Sequence, residues 1–188
     1  MDQSVAASPP TPLFIRAGLR ERFTQIAVDQ QVEALDGSLY DILYIGTDTG
    51  RAFKVAVSSQ ASSPTYSILE IYHVFDEPVK NLLIVKPEGS VPQLVVLSDD
   101  EVKAVPMFSC DVPGTLPWEG CPQCLALRSP YCVWDLESSA CLPLSQGTVK
   151  GQNLLQELET GVSFRCPAPP PPPPPPTSTT TGIGAILT

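Results

Sequence analysis

Basic residues, histidine and long apolar runs are all scarce in this chain. Its 188 residues carry 11 Lys and Arg against 20 Asp and Glu, a formal net charge of −9, and one histidine, His73. Binding nucleic acid or an anionic membrane surface needs clustered Lys and Arg to release counterions, so this balance excludes a general binder of either. No stretch approaches the roughly 18 consecutive apolar residues of a membrane-spanning helix. Met1-Asp2-Gln3-Ser4 supplies neither the cationic nor the apolar part of a secretory signal. Asn81 and Asn153 are each followed by two leucines, so no N-glycosylation sequon occurs. Gly-rich phosphate loops, Gly-x-Ser-x-Gly elbows and His-Glu-x-x-His pairs are missing too, and with them the usual signs of phosphoryl transfer, serine hydrolysis and zinc proteolysis. A lone histidine has no partner for a triad or a metal site, so His73 reads as a strand residue.

Proline and cysteine are plentiful but unevenly placed. Of 22 prolines, nine fall between Pro167 and Pro176, eight of them consecutive. The run predicts a polyproline II rod of about 25 Å. Such a rod fits an SH3- or WW-type groove, but those domains are cytosolic, and the cysteines point to another compartment. Residues 167–188 are therefore read as an exposed, disordered proline-rich tail. All six cysteines lie between Cys110 and Cys166, a density typical of disulfide frameworks in oxidising compartments. Only Cys121 and Cys124 form a Cys-x-x-Cys pair. Three chemistries compete for it. A zinc site wants a second close pair or a histidine pair. A thioredoxin-like redox pair wants a helix N-terminus after a strand. The third reading, three bridges stapling a domain too small for its own core, requires neither. Six cysteines allow fifteen pairings, and spacing selects none of them. An extracellular cysteine pattern without a secretory address predicts a piece of a longer secreted protein, or a truncated product.

From Phe23 to Phe108 the chain reads as seven short strands without a helix. Phe23 to Val28 opens the series, and Tyr40 to Ile45 follows up to Gly46-Thr47-Asp48-Thr49-Gly50. Next, Phe53, Val55 and Val57 alternate with Ala52, Lys54 and Ala56, the period of a half-buried strand. Ile68 to Phe75 makes the fourth. Val79–Val85 and Leu94–Leu97 are nearly all apolar, as in strands covered on both faces, and Val102–Phe108 is last. The first four form one group; the other three would need a fourth strand from elsewhere. A sandwich, a barrel or propeller blades all suit this count. Past Cys110, a helix is expected at 152–159, where Leu154, Leu155 and Leu158 share a face. Asp99, Asp100 and Glu101 read as a solvated turn rather than a calcium site.

Two blocks of sequence resemble a known family. Phe23-Thr-Gln-Ile-Ala-Val-Asp29, Tyr40-Asp-Ile-Leu-Tyr-Ile-Gly-Thr-Asp-Thr-Gly-Arg51 and Pro78-Val-Lys-Asn-Leu-Leu-Ile84 resemble the last blades of a semaphorin sema domain. Cys121-Pro-Gln-Cys-Leu-Ala-Leu-Arg-Ser-Pro-Tyr-Cys-Val-Trp-Asp135 is similar to the plexin–semaphorin–integrin (PSI) domain that follows it. The order of the two blocks matches the family, and the first is most similar to the transmembrane class 4 semaphorins.

The resemblance implies a mainly β fold in three parts. Residues 1–109 would be the last two blades of a seven-bladed β-propeller, 110–166 a cystine-knot-like PSI domain, and 167–188 the tail. It implies pairing of Cys110 with Cys132, Cys121 with Cys166 and Cys124 with Cys141. Trp134 and Tyr131 would be core aromatics, and Gly46 and Gly50 would flank a turn open to positive φ. It also implies an extracellular or cell-surface ligand acting through plexin receptors, a second semaphorin copy as a further partner, and no cofactor, metal or enzymatic chemistry. The plexin contact would lie on earlier blades, leaving this piece to support and orient. Ser129 departs from the family, which has Asp at that position. Two blades cut from a ring expose apolar faces and a strand edge, so residues 1–109 alone are expected to be marginal or aggregation-prone, whereas the stapled module is expected to survive alone.

Overall fold

Strict alternation along four neighbouring strands gives the first sheet two different faces. β1 (Phe23–Glu33), β2 (Leu39–Thr47), β3 (Arg51–Ser58) and β4 (Thr65–His73) pair antiparallel in chain order. These assignments come from a computed structural model, which describes residues 12–16, 20–58, 65–114, 116–144 and 151–171. One cross-strand row runs Ile26, Ile45, Phe53, Ile71, and the next runs Val28, Leu43, Val55, Ile68. Side chains change faces at every residue, so both rows stand on one outer face. Ala27, Ile42, Tyr44, Ala52, Lys54 and Ala56 stand on the inner one.

A second sheet covers the inner face. β5 (Asn81–Val85), β6 (Gln93–Leu97) and β7 (Val102–Pro106) form it, with β6 central. Leu82, Leu94 and Val96 meet Ile42, Tyr44, Ala52, Ala56, Val79 and Met107 in the main core. Each large side chain fully buried there contributes about 1.5–3 kcal/mol. On the outer face the centre is buried, Leu43, Ile45, Phe53, Val55 and Val57 forming a second core cluster, and among the described residues, 12–16 lie over it. Phe14 lies against Phe23, Phe53 and Tyr66, with ring centroids 5.5, 6.4 and 5.2 Å away, and the Arg16 guanidinium sits 4.6 Å from the Phe53 ring centre. Ile26, Ile68 and Ile71 remain exposed on either side.

The cysteine-rich part is a separate small unit. α1 (Pro117–Ala126) packs against β8 (Cys132–Asp135), which pairs with β9 (Ala140–Pro143) on one side and β10 (Leu154–Leu155) on the other. Disulfides join Cys110 to Cys132, Cys121 to Cys166 and Cys124 to Cys141. Trp134 is buried among Cys121, Cys124, Leu125 and Leu155.

Several local expectations are corrected. No helix forms over 152–159; Leu154 and Leu155 instead pair with Asp135 and Trp134. Eight residues are too few to repay helix nucleation when a strand partner stands nearby. The helix lies at Pro117–Ala126, in a stretch rich in Gly, Pro and Cys to which the sequence pattern assigns no element. Pro117 suits its first turn, where the missing N–H costs nothing. Cys121 and Cys124 therefore do lie on a helix, though bonded to distant partners and not to each other. β5 is not covered on both faces, since Leu83 and Val85 are exposed. Conversely β3 is not half-buried: Lys54 is 2% exposed, because Ala52 and Ala56 are small enough for other elements to close over them. Residues 172–188, most of the proline run, lie outside the described residues, and 167–171 adopt no regular structure.

The two expected turn glycines act differently. Gly50 has φ +77, and a Cβ there would stand 2.0 Å from the Phe75 carbonyl oxygen. Gly46 lies within β2, outside the positive-φ set, and its constraint is proximity: a Cβ would stand 2.5 Å from Val79 Cγ1. Gly50→Ala is expected to lower stability by about 3 kcal/mol or more, because the obstacle is backbone. Gly89 has φ +72 with nothing within 4 Å, so Gly89→Ala should cost only about 1–2 kcal/mol. Urea unfolding midpoints compare the two, and equal losses would contradict this account.

Candidate functional site: the junction between sheet and disulfide module

Where the chain leaves β7, Met107-Phe108-Ser109-Cys110 carries it into the disulfide module, and the two units close on a buried polar cluster. Its centre is Asp29, near the middle of β1 and 4% exposed. Tyr131 donates its hydroxyl to one carboxylate oxygen at 2.8 Å. Lys86, just after β5, donates to the other at 2.5 Å. Both oxygens of a carboxylate withdrawn from water thus find strong partners, as burial of the charge demands. One carboxylate ties together β1, the second sheet and the module.

The strand geometry explains why Asp29 can do this. Alternation turns Ala27 and Asp29 toward the inner face. Directly beyond, the β1–β2 register shifts between Asp29 and Val32, with Gln31 at φ 55 and its amide donating to Asp41 Oδ1 at 2.9 Å. A bulge bends a strand and re-aims its neighbours. Here it lies at the edge of the cluster.

Around Asp29 the packing is mostly aromatic. The Tyr131 ring stacks on Phe108, centroids 4.8 Å apart and planes 10° from parallel, and the Lys54 ammonium lies 5.4 Å from its centre. Tyr44 and Tyr72 donate their hydroxyls toward the Met107 carbonyl, at 3.2 and 3.4 Å. Tyr72 also reaches Glu70 at 2.7 Å, and Lys54 pairs with Glu70 at 3.8 Å. The Cys110–Cys132 bridge fastens the module beside this cluster.

Two more side chains cross the seam at its rim. Gln156 accepts from the Leu35 amide at 2.8 Å and donates to the Ser129 and Cys132 carbonyls at 3.1 and 2.9 Å. Arg128 donates to Ser67 Oγ on β4 and to the Leu158 carbonyl. Ser129 itself is 7% exposed, and its hydroxyl accepts from the Tyr131 amide at 3.4 Å.

Among residues singled out from sequence, Tyr131 enters this cluster and Cys110 and Cys132 border it. Trp134 and the other four cysteines belong to the interior of the module. His73 is exposed and contacts Asp76. Asp99 pairs with Lys80 and Glu101 with Lys103, while Ser98 Oγ accepts from the Asp100 and Glu101 amides. Among the described residues no His, Cys, Asp and Glu group could hold a metal ion. Asp29, Lys54, Lys86 and Gln156 escape sequence reading. Lys54 left a trace, as the one charge within the apolar stretch 52–57.

Burial sets the charge states here. Desolvation, partly offset by Glu70, lowers the Lys54 pKa to about 8. Desolvation also raises the hydroxyl pKa values of Tyr44, Tyr72 and Tyr131 far above 10. Between about pH 8 and 10.5 the unfolded chain keeps the Lys54 proton that the folded chain has lost, so stability rises with pH across this window. Above pH 10 the unfolded tyrosines lose protons that the folded ones retain, so stability falls. Unfolding free energies from pH 6.5 to 11 are expected to peak near pH 9–10, with Lys54 adding up to about 3 kcal/mol. Lys54→Met should abolish the rise and stabilise the protein at pH 7. A flat profile, or a destabilised Lys54→Met variant, would contradict the assignment.

Comparison with known proteins agrees on one family. The Sema domain family matches residues 1–86. Semaphorin-1A of Schistocerca americana is 43% identical over 140 residues, covering 72% of this chain and 19% of its own length. Semaphorin-4D of Homo sapiens is 31% identical over 167 residues, covering 89% and 18%. Among solved structures, the extracellular domains 1–2 of Drosophila Semaphorin 1b superpose with a TM-score of 0.70 at 31% identity, covering 85% of this chain and 32% of that one. A structure of Drosophila Plexin A in complex with Semaphorin 1b matches with a TM-score of 0.69, at 31% identity and with the same coverage. The chain spans about a fifth of the length of the curated relatives it matches.

Proposed function

This chain belongs to the semaphorin family, and from that premise we propose that it is the supporting part of an extracellular semaphorin ligand for plexin-type receptors. In this reading residues 1–109 are the last two blades of the sema propeller, 110–166 the PSI module, and 167–188 a proline-rich extension. The chain's task is to hold the module at a fixed angle to the blades. It does not itself make the main receptor contact.

The observation that carries this reading is the buried Asp29 cluster. A flexible tether needs no carboxylate withdrawn from water and shared by Lys86 and Tyr131. An orienting joint does, since a hydrogen-bonded buried charge tolerates one geometry only. Two unfinished surfaces support the blade assignment. The outer face of the first sheet is apolar across all four strands, and although its centre is buried, Ile26, Ile68 and Ile71 at its flanks are exposed. Among the described residues, the far edge of β7 pairs with no strand. A preceding blade and a fourth strand from elsewhere in a longer protein would complete both. Three disulfides favour an oxidising compartment. The plexin complex among the structural neighbours favours a plexin partner for the parent protein.

Thiol chemistry has no place in the proposal. A dithiol oxidoreductase needs its Cys-x-x-Cys pair to bond internally, and here Cys121 and Cys124 are each bonded elsewhere, with no free cysteine among the described residues. Surface plasmon resonance on an immobilised plexin ectodomain tests the role. Residues 1–188 should bind at least 100-fold more weakly than a semaphorin with the complete propeller. Binding of native strength would refute a purely supporting part.

A further inference from the structure

Along the seam, away from the buried cluster, runs an open groove that the orienting role does not use. Two cavities of about 580 and 360 Å³ adjoin in it, sharing Tyr40, Leu158 and Glu159. One wall is the open end of the first sheet, with Leu35 and Tyr40. The other is the segment after β10, with Leu158, Glu159 and the loop from Gly161 to Cys166. Gln156, which bridges the two walls, lines the floor. The groove therefore exists only while module and sheet are docked.

We propose that this groove binds an extended, basic peptide segment of a partner protein, one that carries Lys or Arg beside an aliphatic or aromatic anchor. Three features point to that chemistry. First, acids outnumber cations in the lining, Asp36, Glu157 and Glu159 against Arg128 and Arg165, and hydrogen bonds to Ser67 Oγ and to the Leu158 and Gln152 carbonyls hold the two guanidinium groups in place. Second, the carboxylates of Glu157 and Glu159 line the groove and, among the described residues, pair with no cation. The lining thus keeps an excess of negative charge, with two carboxylates able to accept from an incoming cation. Third, Phe164 stands at the mouth 97% exposed, on a loop held by the Cys121–Cys166 bridge. An aromatic that its own protein leaves in water has almost its whole ring surface to bury on contact, and only two χ angles to fix. Tyr40 and Leu158 supply apolar floor between the acids. Two adjoining cavities offer more length than a compact small molecule fills, which suits an extended segment. The proposal does not depend on the receptor assignment, since it rests on this chain's own groove.

Titration of the ¹⁵N-labelled full chain, at two salt concentrations, with acetyl-Lys-Leu-Lys-Phe-Lys-amide and with its Glu-for-Lys counterpart tests the inference. Saturable binding of the basic peptide is expected, with amide shifts confined to residues such as Leu35, Tyr40, Leu158 and Phe164. The double variant Glu157→Gln, Glu159→Gln and the single variant Phe164→Ala should each weaken it at least tenfold. Glu137→Gln, on an exposed turn of the module, should change it less than twofold. Because none of these side chains is buried in either core, near-ultraviolet dichroism should remain that of the parent. Equal binding of both peptides would overturn the proposal. So would shifts spread over the surface, or equal losses in the groove and turn variants, which would mark general attraction of a cation to an acidic chain. Failed plexin binding leaves these outcomes untouched, so the two readings are separable.

Discussion

The arrangement of this protein depends on one carboxylate held out of water. Asp29 is buried where three units meet, with Lys86 on one carboxylate oxygen and Tyr131 on the other. Either partner alone would leave a lone pair unsatisfied in a poorly polarisable setting, at a cost of about 1–3 kcal/mol or more for a charged group. The pairing also has a steric requirement. Tyr131 reaches β1 only if the module stacks its ring on Phe108 and lies over the small side chains of Ala52 and Ala56. Orientation and charge satisfaction are therefore one constraint.

That constraint explains the division of labour among the other contacts. The disulfides hold the module's interior around Trp134, and Cys110–Cys132 limits how far it can swing. They do not by themselves specify an angle. Gln156 and Arg128 contribute at the rim, where neutral side-chain-to-backbone bonds are worth about 1 kcal/mol each. Lys54 works in the opposite sense: buried beside Tyr131, it costs stability while charged. Its carboxylate partner is Glu70, at 3.8 Å, which offsets only part of that cost.

Much of the architecture was legible in the sequence because period-two alternation reports directly on strands. Seven strands, split four and three, appear where Ile26, Tyr44, Phe53, Ile71, Leu82, Val96 and Val105 recur between turn residues. Alternation was misleading only where tertiary contact overrode it. The Ala52, Lys54 and Ala56 face reads as solvent-facing, yet it is buried, since nothing local says what lands on a row of small residues. The helix at Pro117–Ala126 was illegible for a related reason: its Pro, Gly and Cys content disfavours helix locally, and packing around Trp134 compensates. At the junction, Tyr131 was visible through the Pro-Tyr-Cys resemblance. Asp29 and Lys86 were not. Asp29 is separated from Tyr131 by 102 positions, and a single carboxylate at a strand's middle carries no pattern.

A double-mutant cycle on Asp29 and Tyr131 tests the central claim most directly. Asp29→Ala, Tyr131→Phe and the double variant would be unfolded in urea with all three disulfides intact. If the buried pair fixes the module to the sheet, the coupling energy is about 1.5–3 kcal/mol, and sheet and module unfold in one transition that splits in two when the pair is removed. Coupling below about 0.3 kcal/mol, with the two units unfolding separately even in the parent chain, would contradict the account.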